Sequence, residues 1–363
     1  MTLDARGREA GRAFRDAIER METNDTDRGS IEQFERFRAG RQRGQRVGAG
    51  LVAAAVAVAA IVFVVLAFED ADRNVPAAPQ VPGGLILYGD WDANAQRADW
   101  FTVRPDGSEL RDLHVSATCA VWFPDGRNIL ITNDAAVGAG TPLRPAVLDQ
   151  NGSNLRPLDA TQNPNLNLGC GDVSPDGTRI ALEGFGQNAH AELDGIYSIR
   201  ASDGGGLVRL LEGPVSPPRY SPDGTQLSFF DTRAGVSPSG SGALFVMASD
   251  GTGTVRITPW GFAFDDHAWS PDGSWIVFQR PYGQLYLVRP DGSGLHRVPL
   301  DLPPGAGALN PSWSSDGTWI VFSLQRSDQA EIYRAAPDGT GLRKVIGGPD
   351  VQAQHPDWMA PSS

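Results

Sequence analysis

The stretch "WSPDGSWIVFQ", residues 269–279, recurs along this chain. A close copy is "WSSDGTWIVFS" at 313–323, and looser copies are "WFPDGRNILIT" at 122–132, "VSPDGTRIALE" at 173–183 and "YSPDGTQLSFF" at 220–230. In every copy an Asp-Gly pair precedes a β-rich run, which is the signature of a tight turn between antiparallel strands. Successive Asp residues of these turns are 44 to 51 positions apart. The stretch therefore predicts a strand–turn–strand unit that recurs along the chain.

A second turn motif alternates with the first and occurs six times. Its copies are "WFTVRPDGSELRDL" (100–113), "AVLDQNGSNLRPL" (146–158), "IYSIRASDGGGLVRL" (196–210), "LFVMASDGTGTVRI" (244–257), "LYLVRPDGSGLHRV" (285–298) and "IYRAAPDGTGLRKV" (332–345). One period of about 47 residues thus holds four short strands, here called a, b, c and d, with tight turns between a and b and between c and d. Four-stranded units at this spacing are typical of the blades of a β-propeller.

The number of strands predicts how the ring closes. The b strand occurs six times, at 85–88, 128–131, 179–182, 226–229, 275–278 and 319–322, whereas the a strand with its turn occurs only five times. The first unit lacks its a strand, and near the end of the chain Pro356, Asp357 and Trp358 match residues 311–313. We therefore expect an all-β, six-bladed propeller over residues 84–363, in which the C-terminal strand completes the first blade and leaves no unpaired edge.

The repeated residues resemble a known family. The pattern W-S-P-D-G-x-x-I-x-F, followed by I-Y and a second Asp-Gly turn, is similar to the TolB-type propeller repeat, also called the WD40-like or PD40 repeat. The resemblance extends over about 280 residues, and the G-H…W-D signature of true WD40 repeats is absent. It implies a propeller that binds partner proteins, and related propellers shield or gate peptidase domains. Since one fold serves many functions, the resemblance implies no particular site.

Residues 47–68, "VGAGLVAAAVAVAAIVFVVLAF", form an uncharged segment of 22 residues. A helix of this length spans about 30 Å, the thickness of the hydrocarbon core of a bilayer. Residues 1–46 hold eleven Arg against nine acidic residues, whereas the chain after residue 68 holds twenty basic and thirty-four acidic residues. This asymmetry predicts a single-pass anchor with a cytoplasmic helical segment at 1–46, a Pro-rich acidic linker at 69–83 and an extracytoplasmic propeller. The segment is too long for a cleaved signal peptide, and a buried soluble helix is the other alternative.

The long loops b–c and d–a lie on the face opposite the turns, and binding chemistry usually lies in such loops. The register of the a strands predicts a polar ring at the channel mouth on that face. The candidate binding residues are Asp172, Arg219, Asp266, His267, Asn310, His355 and Asp357. Metal coordination by Asp266, His267, His355 and Asp357 is an alternative to a solvated polar rim. We favour the rim, and we predict no metal and no other cofactor.

Cys119 and Cys170 are the two cysteines of the chain, and they occupy the same position in neighbouring blades. Outside the membrane a disulfide would persist, and neighbouring a strands converge near the axis of a propeller. A disulfide between them is favoured over two buried thiols.

Composition and motifs narrow the class of function. The net charge of −12 argues against nucleic acid as a partner, because phosphates require compensating positive charge. The sequence contains no nucleophile elbow, H-E-x-x-H, C-x-x-C or phosphate-binding loop, so an enzyme is not the favoured class. We expect a membrane-anchored, extracytoplasmic scaffold that binds a protein partner or a small envelope ligand on the long-loop face. One alternative is a transmembrane sensor whose cytoplasmic helices hold a regulator, as anti-sigma factors do, and another is a hydrolase or lyase with its active site in the funnel.

Overall fold

The computed structural model describes residues 81–92, 97–133, 142–187, 190–231, 242–263, 266–280, 283–327, 329–348 and 351–359. The predicted cytoplasmic segment, the predicted membrane helix and most of the predicted linker lie outside these residues. Within the described ranges no helix is both long enough and apolar enough to cross a membrane. The predicted anchor therefore stays a prediction.

The described residues form six antiparallel sheets of four strands each, numbered as blades 1 to 6. From the channel outward, blade 1 consists of β24 (Ala353–Met359), β1 (Leu85–Asp92), β2 (Arg97–Val103) and β3 (Arg111–Ala117), and blade 2 of β4 (Cys119–Trp122), β5 (Asn128–Asn133), β6 (Arg144–Asp149) and β7 (Arg156–Pro157). Blade 3 consists of β8 (Leu166–Val173), β9 (Arg179–Gly186), β10 (Gly195–Arg200) and β11 (Val208–Glu212), and blade 4 of β12 (Arg219–Tyr220), β13 (Gln226–Asp231), β14 (Ala243–Ala248) and β15 (Val255–Arg256). Blade 5 consists of β16 (His267–Trp269), β17 (Ile276–Arg280), β18 (Gln284–Val288) and β19 (His296–Arg297), and blade 6 of β20 (Ala306–Trp313), β21 (Ile320–Arg326), β22 (Gln329–Ala335) and β23 (Arg343–Ile346). A 3₁₀ turn, Ala191–Leu193, precedes β10.

The predicted closure of the ring is confirmed, because β24 pairs antiparallel with β1. Ile86 lies opposite Trp358, and Leu87 lies opposite Asp357. Trp358 is 4% exposed and packs with Ile86 against Trp319 and Val321 of blade 6. The last strand of the chain therefore joins the first blade to the sixth, and β1 has no unpaired edge.

The turn of the repeated motif is held by side chains within the motif itself. In blade 5, Asp272 Oδ1 accepts hydrogen bonds from the backbone N–H of Ser274 at 3.0 Å and from the Ser270 hydroxyl at 2.6 Å. Ser270 Oγ in turn accepts the backbone N–H of Trp275 at 2.9 Å. Gly273 has φ +69°, a conformation that costs glycine little. The hydroxyls of Ser270 and Ser274, together with the Ser274 N–H, lower the pKa of Asp272 to about 2. The same Ser–Asp arrangement occurs in blades 3, 4 and 6.

The aromatic residue that begins the motif joins neighbouring blades. The indole N–H groups of three such residues donate to backbone carbonyls in the innermost strand of the preceding blade at 3.2 to 3.3 Å: Trp122 to Asp357, Trp269 to Arg219 and Trp313 to Ala268. These indole rings are 4 to 8% exposed. The apolar core consists of clusters that each combine two consecutive blades. Each blade is therefore stabilised chiefly by its neighbours, as in other repeat architectures.

Candidate functional site

The innermost strands line a central channel with a cavity volume of about 640 Å³. Two levels of the channel wall follow from the register of the repeat. The level toward the long-loop face consists of Cys119, Cys170, Pro217, Asp266, Asn310 and His355. The level two residues further along the strands consists of Val121, Asp172, Arg219, Ala268, Ser312 and Asp357. The repeat thus brings residues about 47 positions apart in sequence into one ring.

Four consecutive blades contribute to a single cluster centred on the carboxylate of Asp266. Asn310 Nδ2 donates to Asp266 Oδ2 at 2.6 Å, and His355 Nδ1 lies 2.9 Å from the same oxygen. Arg219 Nη2 lies 3.7 Å from Asp266 Oδ1. Arg219 comes from blade 4, Asp266 from blade 5, Asn310 from blade 6 and His355 from blade 1. The Asp266 side chain is 12% exposed and lines the channel.

Backbone irregularities direct two members of the cluster toward Asp266. Asn310 and His355 both have φ +50°, in the left-handed region that residues other than glycine rarely adopt. The pairing of β20 with β21 shifts register between Leu309 and Ser312, and the pairing of β24 with β1 shifts at the level of His355. A β-bulge re-aims a side chain and is over-represented beside functional sites. Because such backbone strain persists where the surrounding structure imposes it, these positions mark the channel cluster as a candidate site.

The cluster keeps Asp266 ionised. Burial opposes its ionisation, but the charge and hydrogen bond of His355, the charge of Arg219 and the hydrogen bond from Asn310 together lower its pKa well below the usual range of an Asp. Arg219 is anchored on its other side, because its Nη1 donates to the carbonyl of Gly171 at 2.9 Å. Arg219 and Asp266 thus form an ion pair inside the channel. The contacts of Asp266 with Asn310 and His355, and of Arg219 with the carbonyl of Gly171, hold the pair in place.

The carboxylates of Asp172 and Asp357 have a different environment. Asp172 Oδ2 accepts the backbone N–H of Tyr220 at 2.8 Å, and Asp357 Oδ2 accepts that of Trp122 at 2.9 Å. Each therefore joins its own blade to the next one around the ring. Burial raises the pKa of Asp172 to about 6, although Arg219 and the Tyr220 N–H act in the opposite direction. Burial likewise raises the pKa of Asp357, against the hydrogen bond from Trp122 and the charge of Arg219.

His267 occupies a different environment from its neighbour Asp266. Its side chain is almost fully buried, and Nε2 lies 2.8 Å from the hydroxyl of Ser228 in blade 4. The imidazole also packs edge-on against Phe230, with ring centroids 5.3 Å apart. Successive residues of a strand point to opposite faces, so His267 lies between blades while Asp266 faces the channel.

Among the described residues, no group of three or more His, Cys, Asp or Glu side chains is arranged to hold a metal ion. The hypothetical ligand set of Asp266, His267, His355 and Asp357 is accordingly divided among the channel cluster, the space between blades 4 and 5, and the join between blades 1 and 2.

The other side of the channel mouth carries the two cysteines. Cys119 and Cys170 are joined by a disulfide, with their Cα atoms 5.9 Å apart. The backbone N–H of Cys170 donates to Glu183 Oε1 at 3.2 Å, and Glu183 also lines the channel. Sequence reasoning did not include Glu183 or Gly171. Only the structure shows why residue 171 is a glycine: a Cβ there would lie 1.9 Å from the carbonyl oxygen of Ala181.

The protein is therefore a six-bladed propeller with four-stranded blades. Its C-terminal strand completes the first blade, and its innermost strands line a polar channel. Residues 137–361 match the family model of the TolB beta propeller domain, PD40. The match extends over more than half of the chain, and the chain therefore belongs to this family.

Solved structures agree on the fold. TolB from Acinetobacter baumannii is 16% identical with a TM-score of 0.59, and the alignment covers 77% of this chain and 67% of that one. The putative TolB from Agrobacterium tumefaciens is 18% identical with a TM-score of 0.54, covering 76% of this chain and 92% of that one. A chain of the nidogen/laminin complex is 9% identical with a TM-score of 0.58, covering 77% and 99%. No curated protein matches this chain. At these identities the likeness concerns the fold alone.

Proposed function

We propose that this protein is a membrane-anchored, extracytoplasmic binding propeller, and that its channel mouth binds a protein partner or a small ligand of the cell envelope. The observation that carries the proposal is the cluster on Asp266, to which four blades contribute. Two of its members, Asn310 and His355, are held in left-handed backbone conformations. A ring that needed only to be closed would not require polar groups at these strained positions.

The anchored, extracytoplasmic part of the proposal rests on the uncharged segment 47–68 and on the charge asymmetry around it. The disulfide between Cys119 and Cys170 supports it, because disulfides persist in oxidising compartments and are rare in the cytosol. Protease treatment of intact spheroplasts should degrade the propeller and leave an N-terminal fragment protected. Protection of the propeller under these conditions would contradict the proposed topology.

The binding proposal is tested with the full-length protein and a double variant of the cluster, Asp266→Ala with His355→Ala. Cross-linking in intact cells should give one or more adducts with the wild-type protein, and the double variant should reduce their yield at least fivefold. Arg297→Ala is a matched control, because Arg297 is exposed on the outer strand of blade 5. Adducts that are equally abundant in all three proteins would refute a role of the channel mouth.

A further inference from the structure

Blades 5 and 6 each have a tryptophan at the start of strand b, Trp275 and Trp319. The guanidinium carbon of Arg289 lies 4.4 Å from the centre of the Trp275 ring, and that of Arg334 lies 4.3 Å from the Trp319 ring. A second contact is made by a left-handed glycine in the turn between strands c and d. A Cβ at Gly294 would lie 2.9 Å from the ring of Trp275. Each indole therefore contacts both an arginine and a glycine of its own blade.

Blade 1 has the same surface but lacks the tryptophan. Its segment "RPDGSEL" at 104–110 differs from "RPDGSGL" at 289–295 of blade 5 in one residue only, with Glu109 in place of Gly294. The register of the strands places Leu85 where blade 5 has Trp275. Arg104 corresponds to Arg289, and its Nε lies 2.8 Å from Glu109 Oε1. Blade 1 thus retains the arginine of blade 5 without the indole beneath it. In blade 6 the arginine over the indole, Arg334, lies two residues earlier in strand c, and Ala336 occupies the position of Arg289.

A groove lies where the indole would be. It has a volume of about 1040 Å³ and is lined by Leu85, Leu110 and eight polar residues, among them Glu109 and Arg111 of blade 1 and Asn128 and Asp149 of blade 2. It is at the turn-bearing end of the seam between these blades, away from the cluster on Asp266.

Without an indole in blade 1, the leucine at the end of its c–d turn is left exposed to solvent. Leu110 is 54% exposed, whereas Leu295, at the corresponding position of blade 5, is 6% exposed. Glu109 contributes a second irregularity, because it has φ +54° at a position where blades 3 to 6 have glycine with φ +67° to +69°. A left-handed conformation is unfavourable for a residue with a Cβ. The groove therefore has an exposed apolar wall and a strained acidic residue that pairs with Arg104.

We propose that the groove between blades 1 and 2 binds the aromatic side chain of a partner protein, a tryptophan in the first instance. The incoming indole would lie against Leu85 and Leu110, next to Arg104, which is held at the edge of the groove by its ion pair with Glu109. A guanidinium attracts an aromatic face, and burial of Leu110 would add to the affinity. The occupant is identified by the repeat itself, since the chain fills the equivalent position with Trp in two of its own blades. This site is independent of the proposed function of the channel.

The test uses the full-length protein in detergent micelles and N-acetyl-5-fluorotryptophanamide as the probe. Binding is read from the broadening of the ¹⁹F NMR signal, compared among variants in identical micelles. Leu85→Trp places the protein's own indole in the groove and should weaken binding of the probe at least tenfold. Arg104→Ala removes the cation and should weaken it about threefold. Leu155→Ala is the control, because Leu155 is the comparably exposed leucine of blade 2, where Asp149 replaces the arginine.

Thermal unfolding is the second measurement, because it also detects a poorly folded variant. Leu85→Trp should raise the Tm relative to wild type, because the new ring would bury apolar surface that Leu85 leaves exposed. Equal broadening in the wild type, Leu85→Trp and Leu155→Ala would overturn the proposal. So would a Leu85→Trp variant with a lower Tm and unchanged binding of the probe.

Discussion

Replacing Asp266 and Asp172 by asparagine should change the stability of the propeller in opposite directions, although both are channel carboxylates. Asp266→Asn removes the charge that His355 and Arg219 share. Breaking a fully buried ion pair costs about 3–5 kcal/mol. Because the side chains of Arg219 and His355 are 23% and 36% exposed to the channel, solvent screens the pair. We therefore expect a loss of about 2 kcal/mol at pH 7.5, which corresponds to a Tm lower by about 4 °C.

Asp172→Asn should stabilise the protein at the same pH. The pKa of Asp172 is raised from 3.8 to about 6, chiefly by burial. At about 1.36 kcal/mol per pKa unit, the ionised form costs at most about 3 kcal/mol in the folded state. Asparagine keeps an oxygen that can accept the N–H of Tyr220 and removes the charge. Since Asp172 is partly exposed to the water of the channel, we expect a gain of about 1 kcal/mol.

The effects of Asp172→Asn and Asp266→Asn on the free energy of unfolding should also differ in their dependence on pH. Folded Asp172 keeps its proton up to about pH 6 whereas the unfolded chain loses it near pH 4, so its contribution makes the free energy of unfolding fall as the pH rises through this window. The gain from Asp172→Asn should therefore shrink between pH 7.5 and pH 4.5. Asp266 has a lowered pKa, so its contribution is present above pH 4 and is lost only as the pH falls toward the folded-state pKa.

The assay is urea unfolding followed by tryptophan fluorescence at pH 7.5 and pH 4.5. The two substitutions are each other's control, because each replaces one channel Asp with an isosteric amide. Changes of the same sign and size at both pH values would refute the electrostatic account of the channel.

Three further predictions concern the closure of the ring and the close contacts of the channel wall. Cys119→Ser with Cys170→Ser should lower stability by up to about 4 kcal/mol, from the chain entropy of a loop of 51 residues, and comparing the variant with reduced wild type in urea unfolding would show whether the effect is due to the bond itself. Trp358→Ala should cost about 3–5 kcal/mol because the ring is 4% exposed at the join between blades 1 and 6; an unchanged Tm would mean that β24 does not close the propeller. Gly171→Ala should lower the Tm by several degrees, since its Cβ would lie 1.9 Å from a backbone carbonyl of Ala181, and thermal unfolding that matches wild type would contradict this contact.

The polar rim illustrates how far sequence reasoning extends into a site. The repeat register placed Asp266, Asn310 and His355 at one level of the channel wall, and in the structure their side chains meet. It also included His267, whose imidazole contacts Ser228 and Phe230 of blade 4 and does not join the cluster on Asp266. The bulges at Asn310 and His355 left no mark in the turn motifs, so the convergence of their side chains on one carboxylate was beyond prediction from the sequence.

The groove between blades 1 and 2 illustrates the opposite case. Every residue of the comparison is visible in the sequence: Leu85 for Trp275, and Glu109 for Gly294. The sequence favoured the long-loop face for binding, whereas this groove lies at the turns on the opposite face. Only the packing of two blades showed that the missing indole leaves a groove with Leu110 exposed at its wall.

The number of blades, their strand order and the closure by the C-terminal strand could be read from the repeats in the amino-acid sequence. The repeats are visible because the turns depend on local chemistry: in blades 3 to 6 the Ser, Asp and Gly of the a–b turn form their hydrogen bonds within five residues of one another. Which side chains meet in the channel, and which seam stays open, depended on the packing of the blades. Those contacts join residues from different blades, and their distances depend on the bulges and on the packing of one sheet against the next.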